Sequence, residues 1–325
     1  MKPASLSIDI ETQPSRNWRD ARDRSDGGPH LGDPWIEYQS AIGHTPRYLT
    51  LRVDGETDAV GVAYLSRSRL RFWRAPAARL DVLPTCVDAT PRTTADERAA
   101  AIVELARREG WGSLAIESLG GPTPPPDLAR LGFTVRDRFE FTIDLEPDDE
   151  TRWQAIKSSH RRKIRKAEKS GVQVQDADDP AACLHQLQTF TAERRRAQGE
   201  SMDCPPLARY RLLCDTLGDD GTTLVGLIDG QVVSAMLVAR RGRHTYYLNG
   251  GTNDAGLAAN AASSVFWEAT RKLHADGAAT LNLGGTPADA ADPGSPAHGL
   301  YRFKLGWGTT PAACRSGTLA LTRRR

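Results

Sequence analysis

Two stretches of the sequence decide the fold: Tyr48–Leu65, YLTLRVDGETDAVGVAYL, and Thr223–Val238, TLVGLIDGQVVSAMLV. Each has apolar runs on both sides of an Asp-Gly dipeptide, which is the strongest short signal for a β-hairpin. The two dipeptides begin at Asp54 and Asp229 and lie 175 residues apart. The sequence therefore predicts two hairpins, one in each half of the chain.

A helix and a short buried strand are predicted after each hairpin. In the first half the helix spans Thr94–Glu109 and leads into SLAIESLG; in the second half it spans Asn260–Asp276 and leads into ATLNLGG. Both helices end at a glycine, Gly110 or Gly277, as the left-handed C′ position favours. Chance coincidence of common dipeptides is the alternative, but the shared order favours an internal repeat.

A third correspondence links Arg130–Phe133 (RLGF) with Lys304–Trp307 (KLGW), 174 residues further on, and a closing strand follows each, FTIDL and TLALT. We therefore expect two tandem domains, residues 1–147 and 148–325, divided in the acidic segment Glu146–Glu150. The expected fold class is α/β (α+β), in which each domain has a mixed, mostly antiparallel sheet flanked by helices.

Composition narrows the functional classes. The 325 residues carry a net charge of +2, with a pI of about 8.3, so a nucleic-acid partner would have to meet a local basic patch. Five scattered cysteines form no CxxC or Cys/His cluster, which favours a reducing compartment and argues against a structural metal. There is no apolar leader and no apolar stretch of 18 residues. We expect a cytoplasmic monomer with no membrane insertion, no metal and no bound cofactor.

The second half resembles the catalytic domain of the Fem family. The matching segments are SSHRRKIRKAEKSGV (Ser158–Val172), Tyr246-Tyr247, SSVFWEATRKLHADG, LNLGG and, most specifically, GLYRFKLGWG (Gly299–Gly308). Fem-type proteins are tandem GNAT-like domains, so the resemblance covers essentially the whole chain. It implies an aminoacyl-tRNA-dependent transferase of the kind that adds amino acids to peptidoglycan precursors.

The most basic segment is predicted to be one helix, from about Asp149 to Ser170. Asp148 or Asp149 fits the N-cap, and Gly171 fits the C′ position. His160 is expected to pack in an apolar seam rather than to act as a base. The seam consists of Trp153, Ile156, His160, Ile164 and Ala167.

The exposed side of this helix holds seven cations between Lys157 and Lys169, against the single acid Glu168. An ordinary solvated face is one interpretation. Solvated helices usually mix charge signs through i,i+4 pairs, however, and a phosphate backbone would offset such crowding. The predicted tRNA-binding residues are Lys157, Arg161, Arg162, Arg165, Lys166 and Lys169.

Lys304 is the candidate catalytic residue. Alternation along Tyr301-Arg302-Phe303-Lys304 would turn Phe303 toward the core and Lys304 toward a ligand. Acyl transfer from an ester builds negative charge on the carbonyl oxygen, which a fixed ammonium stabilises. The Fem resemblance implies this role for Lys304, with Tyr247, Tyr301 and Phe303 around the substrate. A lysine that extends into solvent is the alternative.

The strand-loop LNLGG supplies the remaining predicted substrate-binding residues, Asn282, Gly284 and Gly285. Paired glycines at the end of a strand allow a ligand to approach the backbone. Asn282 stands where many Fem-like sequences carry Asp, which removes one candidate general base.

The donor is inferred partly from what is missing. Neither Thr252–Asn260 (TNDAGLAAN) nor residues 84–97 (PTCVDATPRTTADE) carries the Q/R-x-x-G-x-G/A loop that binds the CoA pyrophosphate. We therefore expect transfer of an aminoacyl group from tRNA, as co-substrate, to an amine of a peptidoglycan precursor or a natural-product intermediate. An acyl-CoA-dependent GNAT N-acyltransferase and a non-catalytic RNA-binding module are the alternatives.

Overall fold

The computed structural model describes residues 5–66, 75–121, 124–197, 199 and 202–321. They form two compact units. Unit 1 lies within Met1–Glu140, Gly285–His298 and Pro311–Arg325, and unit 2 within Phe141–Gly284 and Gly299–Thr310. Two stretches of the C-terminal half thus pack in unit 1. The compact units therefore do not coincide with a single division between residues 147 and 148.

The strands are β1 (Leu6–Glu11), β2 (Thr45–Val53), β3 (Glu56–Ser66), β4 (Ala77–Leu80), β5 (Thr85–Cys86), β6 (Ser113–Ile116), β7 (Thr134–Asp144), β8 (Gln173–Asp176), β9 (Gly221–Ile228), β10 (Gln231–Arg241), β11 (His244–Thr252), β12 (Thr280–Pro287) and β13 (Thr310–Ala320). The helices are α1 (Arg16–Arg24), α2 (Asp33–Ala41), α3 (Ala95–Arg108), α4 (Asp149–Ala155), α5 (Ser158–Lys169), α6 (Pro180–Ala197), α7 (Leu207–Leu217), α8 (Asp254–Ala259), α9 (Ala261–Ala275) and α10 (His298–Leu305). Short 3-10 turns span Pro29–Leu31, Gly218–Asp220 and Ala288–Ala291.

The sheet of unit 1 has the order β1-β2-β3-β4-β6-β13. Its β4 and β6 are parallel, and the other neighbouring pairs are antiparallel. Asp54 and Gly55 have φ angles of 52° and 86°, and Val53 pairs with Glu56 across them. These left-handed conformations are those of a two-residue hairpin turn, so the first predicted hairpin is confirmed.

Helix α3 covers one face of that sheet. Thr94 and Glu97 form a capping box at its beginning, and Gly110, with φ of 66°, follows its end. Its buried side packs Ile102 and Leu105 into the same core as Leu114 of β6. The helix and strand predicted after the first hairpin are therefore present.

The sheet of unit 2 repeats this order as β8-β9-β10-β11-β12. Asp229 and Gly230 have φ angles of 49° and 75° at the turn between β9 and β10, which confirms the second hairpin. Strands β11 and β12 are parallel, like β4 and β6. Helix α9 lies between them in sequence and is followed by Gly277, with φ of 81°. The predicted internal repeat is therefore visible in the fold.

The closing strand of each half of the sequence packs, at least in part, in the unit formed mainly by the other half. FTIDL and TLALT lie largely in β7 and β13, as predicted. β13 nevertheless completes the sheet of unit 1, where Gly317 pairs with Ile116. Residues 141–144 of β7 are part of unit 2, in which β7 neighbours β12.

The prediction of one continuous basic helix is wrong. Ile156 and Lys157 have extended conformations, with ψ of 132° and 141°, and they separate α4 from α5. The Lys157 N–H donates to the Gly306 carbonyl, 2.9 Å away, so this bond forms outside the helix. The outer boundaries are confirmed, because the Asp148 side chain caps α4 and Gly171, with φ of 77°, follows α5.

Within the described ranges, no helix combines the length and apolar character needed to cross a bilayer.

Candidate active site

Strands β11 and β12 separate after a short parallel pairing. His244–Tyr246 pair with Thr280–Asn282, and the described pairing ends there although both strands continue. The Gly284 N–H donates to Asn282 Oδ1, 2.7 Å away, instead of to a carbonyl of β11. Gly284 has φ of 70°, a conformation that glycine adopts without strain. Asn282 and Gly284 therefore open the sheet between these strands.

The equivalent strands of unit 1 stay connected. After the parallel pairing of β4 with β6, the Glu117 N–H donates to the Leu80 carbonyl at 2.9 Å. The Leu119 N–H then donates to the Asp81 carbonyl at 2.8 Å. The separation of the two parallel strands is thus found in unit 2 and not in unit 1.

Lys304 lies at this opening. A Cβ built on Gly284 would be 3.4 Å from Tyr246 Oη and 3.8 Å from Lys304 Nζ. Lys304 is only 6% exposed, which rules out a lysine that extends into solvent. Its ammonium stands 5.9 Å from the ring centre of Phe141, and Phe141 contacts Tyr301 edge-on at 5.4 Å.

The reason given from the sequence for the orientation of Lys304 is wrong. Residues 301–304 belong to α10 and do not form a strand, so the alternation argument does not apply. Helical geometry instead separates the directions of neighbouring side chains by about 100°. Phe303 and Lys304 consequently have different surroundings.

Phe303 and Tyr247 belong to a cluster of rings centred on Phe266. The Phe266 ring centre lies 5.1 Å from Phe303, 5.4 Å from Tyr247 and 5.6 Å from Trp307. Burial raises the pKa of Tyr247 to about 12, so this phenol stays protonated at neutral pH. Two of the predicted substrate-binding residues, Tyr247 and Phe303, thus both pack against Phe266. The residue that lies close to Gly284 is Tyr246, the neighbour of Tyr247.

Tyr246 and Phe141 are the residues that sequence reasoning missed. Adjacent residues of a strand point to opposite faces, so only one of Tyr246 and Tyr247 can face the opening. The sequence offered no way to choose between them. Phe141 gave no signal because its pairing with α10 spans about half of the chain.

His160 is buried in the seam of α5, as expected. Its Nε2 lies 2.9 Å from the Phe303 carbonyl oxygen, and its ring contacts Phe303 and Trp307. Burial, followed by the charge of Lys163, lowers its pKa, so the neutral ring donates from Nε2 to this carbonyl. This hydrogen bond connects α5 to α10, the helix that carries Lys304.

The basic face of α5 is exposed and lacks acidic partners. Within the described part of the chain, neither the six cations of α5 nor Lys157 just before it forms an ion pair with a carboxylate. Arg161 donates to Gln154 Oε1 at 2.7 Å, Lys166 donates to the Ala258 carbonyl at 3.0 Å, and Arg165 lies over the Trp153 ring. Lys157, Arg162, Lys163 and Lys169 are exposed.

Gly285 differs from Gly284 in what approaches it. A Cβ at Gly285 would be 2.5 Å from Arg138 Nη2 and 3.0 Å from the Phe139 carbonyl oxygen. These neighbours belong to unit 1, as does Gly285 itself. The space beside Gly285 is therefore filled by groups of the protein itself.

In the segment after β11, the Gly256 backbone N–H is already bonded within the segment. Asn253 Oδ1 accepts the Gly256 N–H at 2.9 Å, and a Cβ at Gly256 would lie 2.4 Å from the Val233 carbonyl oxygen. This is the segment in which a CoA-binding enzyme would present free N–H groups. Among the described residues, no group of three His, Cys, Asp or Glu side chains could hold a metal ion.

Comparisons with known proteins agree with this architecture. Residues 155–305 match the family described as an acetyltransferase (GNAT) domain. The structure of FemX is similar, with a TM-score of 0.71 and 16% identity over 95% of this chain and 96% of that chain. L-PGS from Bacillus licheniformis has a TM-score of 0.54 and 14% identity over 98% and 95% of the two chains.

A tandem GNAT protein from the clavulanic acid biosynthesis pathway has a TM-score of 0.53 and 11% identity over 97% of each chain. The comparison with curated proteins found no match. The predicted Fem-like resemblance and the tandem GNAT fold are confirmed. The chain therefore has a Fem-like fold, and residues 155–305 within it match a GNAT acetyltransferase domain.

Proposed function

We propose that unit 2 transfers an aminoacyl group from aminoacyl-tRNA to the amine of a second substrate and forms an amide bond. The observation that carries this proposal is the buried ammonium of Lys304 beside Tyr246 and Gly284 at the opening between β11 and β12. An ammonium held in a largely water-excluded place stabilises developing negative charge more strongly than it would in water.

The reaction follows from an ester donor that is already activated. The neutral amine attacks the ester carbonyl, and Lys304 stabilises the oxyanion of the tetrahedral intermediate. Tyr246 donates a second hydrogen bond to the same oxygen. The ribose oxygen then leaves and takes up a proton, which its vicinal hydroxyl relays from the attacking amine. No covalent enzyme intermediate is required, since orientation of the two substrates supplies much of the acceleration.

The basic face of α5 supports tRNA as the donor. Crowded cations without acidic partners destabilise a helix unless a polyanion offsets them. The hydrogen bond between His160 and the Phe303 carbonyl connects α5 to α10, so the proposed phosphate-binding helix is attached to the helix of Lys304. The similarity to FemX supports the same donor.

Acyl-CoA is the second candidate donor. The GNAT acetyltransferase match over residues 155–305 favours it. The capped Gly256 N–H argues against it, because that amide is already occupied by Asn253.

The acceptor is proposed to be a peptidoglycan precursor or a natural-product amine, and the enzyme to act as a cytoplasmic monomer without a bound cofactor. Residues Tyr301, Tyr247, Phe303, Asn282 and Gly284 remain the proposed substrate-binding set, to which the geometry adds Tyr246. Gly285 is left out of this set, because Arg138 and the Phe139 carbonyl fill the space beside it. A non-catalytic RNA-binding module would use α5 but not Lys304.

The test is a mass-spectrometric search for the product. The protein is incubated with an amine-rich cell extract and either charged total tRNA or a mixture of acyl-CoA thioesters. We expect one amine to gain the mass of an amino acid residue, and we expect ribonuclease treatment of the tRNA to abolish the product. A product formed only from acyl-CoA would show that the donor is acyl-CoA and not aminoacyl-tRNA.

A further inference from the structure

Unit 1 contains a polar cavity whose lining does not include Lys304, Tyr246 or Gly284. Its volume is about 570 Å³, within the range of small-molecule sites. Its lining includes Glu117, Arg136, Arg138, Thr286, Asp289 and Ser316. All of these residues belong to unit 1.

Two buried hydroxyl groups in the lining have no partner. Thr286 and Ser316 are each 1% exposed, and neither Thr286 Oγ1 nor Ser316 Oγ has a hydrogen-bond partner among the described residues. A buried hydroxyl without a partner destabilises a folded protein, and most such groups in native structures are satisfied. Two such groups on one cavity wall indicate that a polar ligand completes their hydrogen bonds.

Two guanidinium groups line the same cavity. Arg136 and Arg138 lie two residues apart on β7, so their side chains share one face of the strand. Neither forms an ion pair among the described residues, whereas Asp137 between them pairs with Arg315 at 2.8 Å. The missing Cβ of Gly285 leaves the space that the Arg138 guanidinium occupies.

Three acidic residues, Glu117, Asp137 and Asp289, also line the cavity, and none of them forms an ion pair with either arginine among the described residues. Asp289 is exposed and accepts a hydrogen bond from Ser295 at 3.4 Å. Glu117 is half-buried and forms no ion pair among the described residues. Glu117 can instead accept a hydrogen bond from a donor group of the same ligand.

We propose that this cavity binds the oxyanion of a small ligand, a carboxylate or a phosphate. Arg136 and Arg138 pair with the anion, and the hydroxyls of Thr286 and Ser316 donate hydrogen bonds to it. Guanidinium forks match the planar or tetrahedral oxygens of these groups. The site is independent of the transfer reaction proposed for unit 2, so either proposal can fail alone.

Calorimetric titration of the full chain with inorganic phosphate and, separately, with acetate at constant ionic strength tests the site. We expect one of the two anions to bind and Arg136→Gln with Arg138→Gln to weaken its binding by at least about tenfold. Tighter phosphate binding identifies a phosphate-bearing ligand, and tighter acetate binding a carboxylate. Arg107→Gln, at an exposed arginine of α3, is the matched control and should bind like the wild type. Binding of neither anion, or equal binding by the double variant, would overturn the proposal.

The hydroxyls provide a second readout. Ser316→Ala and Thr286→Val remove polar atoms that lack partners in the free protein, so these variants should be at least as stable as the wild type without ligand. They should also bind the anion several-fold more weakly. Lower stability of the free protein combined with unchanged anion binding would show that the hydroxyls have only a structural role.

Discussion

Gly306 lies directly against the imidazole ring of His160: a Cβ at position 306 would be 2.1 Å from Cε1 of that ring. The Gly306 carbonyl also accepts the Lys157 N–H at 2.9 Å, at the break between α4 and α5. The glycine of the KLGW segment therefore fixes how α10 packs on α5. This contact positions the helix that carries Lys304.

Gly306→Ala should destabilise the protein by about 2 kcal/mol or more, because the added methyl group must displace a buried ring. Urea unfolding measures the change. Gly299→Ala is the matched control at the beginning of α10, where a Cβ would meet nothing within 4 Å. Equal stability of the two variants would contradict the packing described for Gly306.

Asn282→Ala should remove the acceptor of the Gly284 N–H and lower both stability, by about 1 kcal/mol, and transfer activity. Asn282→Asp keeps an acceptor oxygen at the same place and should restore most of both. Unfolding and steady-state kinetics measure the two effects. Full activity of Asn282→Ala would show that this hydrogen bond does not shape the site.

The basic face of α5 should contribute to the salt dependence of tRNA binding. Arg162→Gln with Lys169→Gln removes two exposed cations and should reduce the slope of log K against log salt by about 1.5. Stability should be unchanged or higher, since crowded like charges are relieved. Filter binding over a salt series measures the slope, with Arg24→Gln of unit 1 as a control. An unchanged slope in the double variant would show that the basic face of α5 is an ordinary solvent-exposed surface that does not bind tRNA.

The buried His30 of unit 1 should make stability depend on pH. Burial, followed by the charge of Arg79, lowers its pKa to about 4, whereas the unfolded chain protonates this residue near 6.5. Its contribution, about 3 kcal/mol, is therefore complete above pH 6.5 and is lost as the pH falls toward 4. His30→Phe should flatten this part of the profile in chemical unfolding between pH 7.5 and 4.5. Parallel profiles of the two proteins would contradict the shift.

Local signals explain why part of the fold could be predicted from the sequence. Asp54-Gly55 and Asp229-Gly230 carry their own turn conformation, and Gly110 and Gly277 mark helix ends by the left-handed backbone that they adopt. Helix caps and hairpin turns depend on residues a few positions apart, so single-sequence reasoning finds them.

Features that depend on distant contacts could not be predicted. The break at Lys157 depends on a hydrogen bond to Gly306, and the exchange of β7 and β13 depends on pairing across the chain. The short segment Tyr301–Lys304 fits a strand and a helix equally well, so its period was misjudged. The prediction of a role for Lys304 came instead from the family resemblance, which does not depend on that period.

Transfer of a labelled amino acid from purified charged tRNA tests the central claim most directly, in wild type and in Lys304→Ala at saturating tRNA. We expect the wild type to form the amide product. We expect Lys304→Ala to bind tRNA equally well but to turn over about 10² to 10³ times more slowly, because the ammonium acts mainly on the transition state. A wild type that transfers only from acyl-CoA, or a Lys304→Ala variant with the wild-type rate, would contradict the account.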